Sequence, residues 1–161
     1  MISGLDRRAF TLIEMMIVVA VLGLLAAIAI PNLLRARISA NEGAIKSDLR
    51  TLGSACENFR AAQIPPAFPV NISDLIVSSS GAAYLLDTTW LPENQPKHGY
   101  NVIYNGTTNV FAAVAVPADP NRSAINTYCI DQTGVIVASV NGQSVPTVGA
   151  DGCSGGMAIV G

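Results

Sequence analysis

Apolar residues form one long block near the N-terminus of the chain. Residues 10–30 are apolar except for Thr11 and Glu14, and a polar pattern begins after Pro31. A helix of this length would extend about 31 Å at 1.5 Å per residue. That length matches the hydrocarbon thickness of a bilayer, so residues 10–31 are predicted to form a membrane-spanning helix.

Beyond Pro31 the apolar residues recur at helical spacing. This periodicity predicts an amphipathic helix over residues 32–63, continuous with the first segment, and Ile64-Pro65-Pro66 is expected to end it. Glu42 and Lys46 are expected to pair on the polar side. The predicted buried face contains Ile38, Ile45, Leu49, Leu52, Cys56 and Phe59.

The remaining residues, 64–161, have the pattern of a β-rich globular head. Strands are predicted over 100–104, 109–116, 125–131 and 135–140, and a short helical turn near residues 73–75. Asn105-Gly106 is a strong signal for a tight turn between the first two strands. A small antiparallel meander packed on the amphipathic helix gives an α+β fold.

Composition and charge exclude several function classes. Hydrophobic residues make up 50% of the 161-residue chain and charged residues 12%, and the mean hydropathy is +0.44. Residues 62–161 contain two basic and six acidic side chains, which argues against nucleic-acid binding. His98 is the single histidine, and the carboxylates of the head are scattered. We therefore expect no enzyme activity, no cofactor and no metal site.

Glu14 distinguishes three interpretations of the apolar block. These are a secretory signal peptide cleaved after Ala29, a plain single-pass anchor, and a short leader followed by a polymerisation helix. The first two have no use for a carboxylate in this segment. A carboxylate inside a membrane costs about 2.5–3.5 kcal/mol at the centre, and less near an end. If the chain is cut between Ala9 and Phe10, the new α-amine lies four residues before Glu14 and supplies a cationic partner. The pair can form within one helix or between staggered helices, where it would set the axial register.

The residues around this point resemble a known motif. The apolar block together with the residues before it is similar to the prepilin cleavage and methylation motif of type IV pilins and type II secretion pseudopilins. The resemblance covers about the first 55 residues and rests on the order Arg7-Arg8-Ala9-Phe10-Thr11-Leu12-Ile13-Glu14. The residue before the cut is usually Gly in that family, and here it is Ala9, another small residue.

The resemblance implies a processing route and a role for each motif residue. Residues 1–9 would be the leader, removed on the cytoplasmic side by a prepilin peptidase that also methylates the amine of Phe10. Glu14 would then pair with a neighbour's amine in a helical homo-oligomeric filament. The family's helix loses regular hydrogen bonding in the filament across a stretch that corresponds to Gly23 and Pro31. An inner-membrane assembly platform is the further implied partner.

The implied function is a structural subunit of a filament. The near-complete motif, the retained Glu14 and the ordinary size predict a major subunit. We expect it to be the major pilin of a type IV pilus-like extracellular filament, because the acidic, Ser-, Thr- and Asn-rich head lacks a recognisable calcium loop. The alternative is the major pseudopilin of a type II secretion system. A membrane-anchored extracytoplasmic binding module, in which Glu14 has no role, is the alternative from another class. The subunit would reside in the inner membrane and then in a cell-surface or periplasmic filament.

Two features of the sequence leave alternatives open. Arg7 and Arg8 favour a cytoplasmic N-terminus, but Arg35 and Arg37 close behind the apolar block weaken that bias. Three cysteines allow one disulfide and one free thiol in an exported head. We favour Cys129 with Cys153, which ties the C-terminal tail to the sheet, over a pairing of Cys56 with Cys129.

Overall fold

The longest element is helix α1, which runs over Leu12–Ala62 and has 51 residues. The computed structural model describes residues 10–76, 86–91, 94–139, 147–149, 152–154 and 157–159. The chain divides into two compact units, one ending at Ala36 and one beginning at Arg37. Helix α1 contributes residues to both units, and its end at Ala62 lies one residue before the predicted one.

The second unit places the predicted face of α1 in its core. Five of the six predicted residues are buried, and Phe59 is partly buried against the same cluster. Each aliphatic side chain of this size contributes about 1.5–3 kcal/mol when it is removed from water. The amphipathic pattern therefore predicted the packing side of the helix correctly. The buried residues are Ile38, Ile45, Leu49, Leu52 and Cys56.

An antiparallel sheet of five strands packs on this helix. The strand order is β1-β2-β3-β4-β7, so the first four strands form the predicted meander and the last strand adds beside β4. Two further strands, β5 and β6, pair only with each other. The strands are β1 Tyr100–Gly106, β2 Phe111–Pro117, β3 Thr127–Asp131, β4 Ile136–Ser139, β5 Thr147–Gly149, β6 Gly152–Ser154 and β7 Met157–Ile159.

The two faces of the sheet are both covered. Because side chains alternate along a strand, Ala113 and Ile130 lie in the helix-facing core, while Ala112, Val114 and Cys129 lie on the other side. The strands β5 and β6 contact that second side through β2 and β3. The prediction of an α+β fold with a small antiparallel sheet on a long helix is confirmed. The strands after β4 were not predicted.

The predicted tight turn at Asn105-Gly106 is wrong. Both residues continue β1 and pair with Ala112 and Phe111 of β2, and residues 107–110 make the turn instead. Gly106 is needed for a different reason: a Cβ atom there would lie 1.9 Å from the backbone carbonyl oxygen of Pro69. The glycine thus permits close approach of two backbone segments, which a local turn pattern does not reveal.

Candidate functional site

The first unit consists of an exposed apolar helix. Every described residue from 10 to 36 is exposed, and Phe10 is 79% exposed. By length and composition, α1 is the one described helix that is able to cross a membrane. An apolar surface of this length is unstable in water, so it has to be covered by lipid or by other protein chains.

The start of this helix is closed by a capping box. The Glu14 carboxylate accepts hydrogen bonds from the backbone N–H and from the hydroxyl of Thr11, both at 2.8 Å. In return, the backbone N–H of Glu14 donates to the Thr11 hydroxyl at 3.3 Å. The arrangement satisfies two N–H groups at the end of the helix, and it places a negative charge at the positive end of the helix dipole.

The capping box provides hydrogen-bond donors for the Glu14 carboxylate, and a carboxylate in an apolar segment requires such partners. The carboxylate folds back to the N–H of Thr11, which is the amide directly after Phe10. A Thr-x-x-Glu sequence ahead of an apolar run is itself a capping-box signature, so the cap is readable from the sequence, whereas the predicted role of Glu14 rests only on the Phe10–Glu14 spacing. Ala9, the residue expected before the cut, lies outside the described residues.

Gly23 and Pro31 both lie within the described helix. The assignment of α1 is continuous across them, and nothing approaches within 4 Å of a Cβ built on Gly23. The predicted loss of helical hydrogen bonding concerns the assembled filament and stays a prediction. Proline nevertheless removes one backbone donor, and glycine weakens a helix by about 1 kcal/mol relative to alanine.

In the second unit, Glu42 joins α1 to the segment before β3. Its carboxylate accepts from the N–H groups of Ile125 and Asn126, from the Asn126 side-chain amide and from the Tyr128 hydroxyl, at 3.1–3.2 Å. The expected surface pairing of Glu42 with Lys46 is therefore replaced by partners more than 80 residues away. Lys46 instead lies 5.5 Å from the centre of the Tyr128 ring. Burial raises the pKa of Tyr128 to about 12, so the hydroxyl remains a donor.

A second cluster attaches the loop before β1 to the same helix. The Asp48 carboxylate lies 3.7 Å from the Lys97 ammonium and 3.3 Å from Nε2 of His98. The Lys97 ammonium also lies 4.8 Å from the centre of the Trp90 ring and donates to Thr89 at 2.6 Å. His98 is thus accounted for by its contact with Asp48 in a structural cluster.

The cysteine pairing follows the favoured prediction. Cys129 and Cys153 form a disulfide that joins β3 to β6, and the rival pairing of Cys56 with Cys129 is wrong. The Asp131 carboxylate fastens the same strand, because it accepts from the backbone N–H of Cys153 at 3.0 Å. Cys56 is buried beside the Tyr104 hydroxyl, and burial raises the pKa of its thiol to about 12.

Comparisons with known proteins agree with this architecture. A family model described as the prokaryotic N-terminal methylation motif matches residues 5–30. The chain is 48% identical over 53 residues to the type IV major pilin protein PilA of Myxococcus xanthus, covering 33% of this chain and 24% of that one. It is 38% identical over 58 residues to the type II secretion system core protein G of Pectobacterium carotovorum, covering 36% and 37%.

A longer match extends beyond the helix into part of the head. The chain is 32% identical over 114 residues to the type IV wide pilus major component PilA4 of Thermus thermophilus, covering 59% of this chain and 87% of that protein. The chain therefore belongs to the family of type IV pilins and type II secretion pseudopilins. It spans only 24% and 37% of the length of the first two relatives. No solved structure matches the chain significantly.

Proposed function

We propose that this protein is a structural subunit of a type IV pilus-like filament, assembled through its apolar N-terminal helix. The observation that carries the proposal is the exposed apolar stretch of α1 over residues 12–36, which begins at the Thr11–Glu14 capping box and lies largely within the residues that match the methylation motif. The head supports a structural role, because the described carboxylates Glu42, Asp48 and Asp131 are all engaged in holding the fold together. We therefore propose that the protein has a structural role and is not an enzyme.

The precursor is processed before assembly. A prepilin peptidase removes residues 1–9 by cutting between Ala9 and Phe10, and the new amine of Phe10 is methylated. Residues 10–31 then serve as the membrane and polymerisation segment, residues 32–63 as the packing half of the helix and residues 64–161 as the head. An assembly platform in the inner membrane moves the subunit from the bilayer into a cell-surface or periplasmic filament.

Glu14 acts as the assembly residue. In the single chain, the cap gives the carboxylate two hydrogen bonds and lowers the cost of holding it in an apolar segment. In the filament, the methylated amine of a neighbouring Phe10 provides the opposite charge. Removing one partner of a buried ion pair typically costs about 3–5 kcal/mol, so each Glu14 substitution would weaken every subunit contact along the filament.

Substitution at Glu14 tests this role in the native host. We expect Glu14→Ala and Glu14→Val to leave cleavage intact but to prevent or weaken filament formation, as measured by mass spectrometry of the mature N-terminus and by electron microscopy of sheared filaments. Glu14→Gln retains an acceptor for the cap but lacks the charge, so it is expected to fail as well. Glu57→Gln changes an exposed glutamate on the same helix and should assemble normally. Normal filaments from Glu14→Ala would refute the assembly role and favour a membrane-anchored binding module.

The pilus and the pseudopilus remain the two candidate filaments. The similarity to two pilus components favours a pilus, and the similarity to the secretion protein favours a pseudopilus. Deleting the gene separates them: loss of twitching or adhesion with normal protein export would identify a pilus. Loss of export with normal surface behaviour would identify a type II secretion pseudopilus.

A further inference from the structure

Two arginines follow the apolar segment of α1 without a protein partner. Arg35 and Arg37 are exposed, and within the described ranges no carboxylate lies within 4.0 Å of either guanidinium. Arg60, in contrast, pairs with Glu57, and Lys97 pairs with Asp48. These two arginines are therefore available for an anion from outside the protein.

The position of the arginines along the helix corresponds to a definite depth in a bilayer. At 1.5 Å per residue, Arg35 lies about 37 Å along the helix from Phe10, and Arg37 about 3 Å further. The hydrocarbon core is about 30 Å thick, and headgroups bring the bilayer to about 40–45 Å. With Phe10 at the cytoplasmic edge of the hydrocarbon, both guanidinium groups would reach the phosphate layer of the opposite leaflet.

The neighbouring residues fit the same boundary. Leu33 and Leu34, immediately before Arg35, are 56% and 41% exposed. Apolar side chains followed within one turn by long cationic ones are typical of the bilayer interface, where the aliphatic stems remain in the apolar region and the charges reach the headgroups. Because Arg35 and Arg37 lie two residues apart on a helix, they point to different sides, so each would meet its own lipid.

We propose that Arg35 and Arg37 bind the phosphate groups of anionic phospholipids in the outer leaflet of the inner membrane, and so hold the unassembled subunit at a fixed depth. The proposal rests on the proposed function, which places the subunit in the membrane before assembly. A guanidinium binds phosphate through two parallel hydrogen bonds, which suits arginine better than lysine for this contact. Once residues 1–9 are removed with Arg7 and Arg8, these two arginines are the side-chain cations next to the apolar segment, at the end opposite the Phe10 amine.

The depth matters for assembly. A subunit held by its outer arginines keeps its N-terminal cap at the opposite boundary, where the methylated amine and Glu14 remain near the polar layer. Entry into the filament then requires the lipid contacts to be released. The lipid contacts would therefore act against early extraction, and their loss should make the subunit easier to remove from anionic membranes.

Native mass spectrometry of the mature full-length chain in detergent tests the lipid contact. Phosphatidylglycerol and phosphatidylcholine are added separately, and retained lipid is counted for the wild type, Arg35→Gln, Arg37→Gln and the double variant. Each substitution should weaken phosphatidylglycerol binding about fivefold, and the double variant about 25-fold, because one basic residue near an anionic surface contributes about that much. Arg50→Gln, an exposed arginine further along the same helix, is the matched control and should change binding less than twofold.

The outcomes separate this inference from the proposed function. Equal retention of both lipids by the wild type, or an equal loss in Arg50→Gln, would overturn the headgroup contact. If inorganic phosphate displaces the lipid completely, the arginines form a site for free phosphate, and the headgroup contact is likewise overturned. Flotation with vesicles of either lipid gives the independent control. If the chain inserts regardless of lipid charge and of the two arginines, the proposed filament function is unaffected. If the chain inserts into no vesicle, the proposal that the subunit resides in the membrane before assembly is contradicted.

Discussion

Glu42 offers the sharpest test of how the head is attached to its helix. Replacing it with alanine removes a carboxylate that accepts four hydrogen bonds from residues 125–128, at the start of β3. Two of the donors are backbone N–H groups, at Ile125 and Asn126, and they lose the Glu42 acceptor in the variant. Asn126 is partly buried, and a donor there that loses its acceptor destabilises the folded state more than the loss of a fully exposed contact does.

The two interpretations of Glu42 predict different magnitudes. A surface pair with Lys46 would contribute only about 0.3–0.5 kcal/mol to the free energy of unfolding. A hydrogen bond to a charged group contributes about 1.5–3 kcal/mol. The four contacts share one half-buried carboxylate and do not add fully, so we expect Glu42→Ala to lower the free energy of unfolding by about 2–4 kcal/mol.

Urea unfolding of the full-length chain in detergent measures this difference. Trp90 is the single tryptophan and is 4% exposed, so its fluorescence reports the unfolding of the head. Glu57→Ala removes an exposed glutamate of the same helix whose ion pair with Arg60 spans 3.7 Å, and a change below about 0.5 kcal/mol is expected for it. If Glu42→Ala also stays within about 0.5 kcal/mol of the wild type, the attachment argued from the four hydrogen bonds is refuted.

Three further predictions concern the packing of the head. Gly106→Ala should lower the free energy of unfolding of the head by about 3 kcal/mol, because the new Cβ would meet a backbone oxygen. Gly43→Ala has open space around it and should stabilise α1 by about 0.5–1 kcal/mol. Equal effects of the two substitutions in urea unfolding would contradict this. Reduction of the Cys129–Cys153 disulfide should lower the free energy of unfolding by about 3 kcal/mol, since it closes a loop with a sequence separation of 24; an unchanged urea midpoint under reductant would count against it. Cys56 should resist maleimide at mildly alkaline pH until urea is added, because burial raises the pKa of its thiol to about 12 and keeps it protonated; rapid labelling of the native protein would show that the thiol is accessible.

The sequence alone determined the features that depend on neighbouring residues. The apolar segment, the buried side of α1 and the four-strand meander follow from periodicity, which is a local property. The Thr11–Glu14 cap is local as well, since it needs only residues three apart. The disulfide was among the few pairings that three cysteines allow, and the choice between them needed the fold.

Tertiary structure decided the features that depend on distant residues. Glu42 has a partner at position i+4 in the sequence, but the fold offers it four donors from residues 125–128, and these outweigh one solvated ammonium. Gly106 looks like a turn residue locally, yet the approach of the Pro69 carbonyl explains it. The strand β7 pairs with β4 at the edge of the meander, and no local pattern specifies which distant segment of the chain pairs there, because strand pairing depends on the fold.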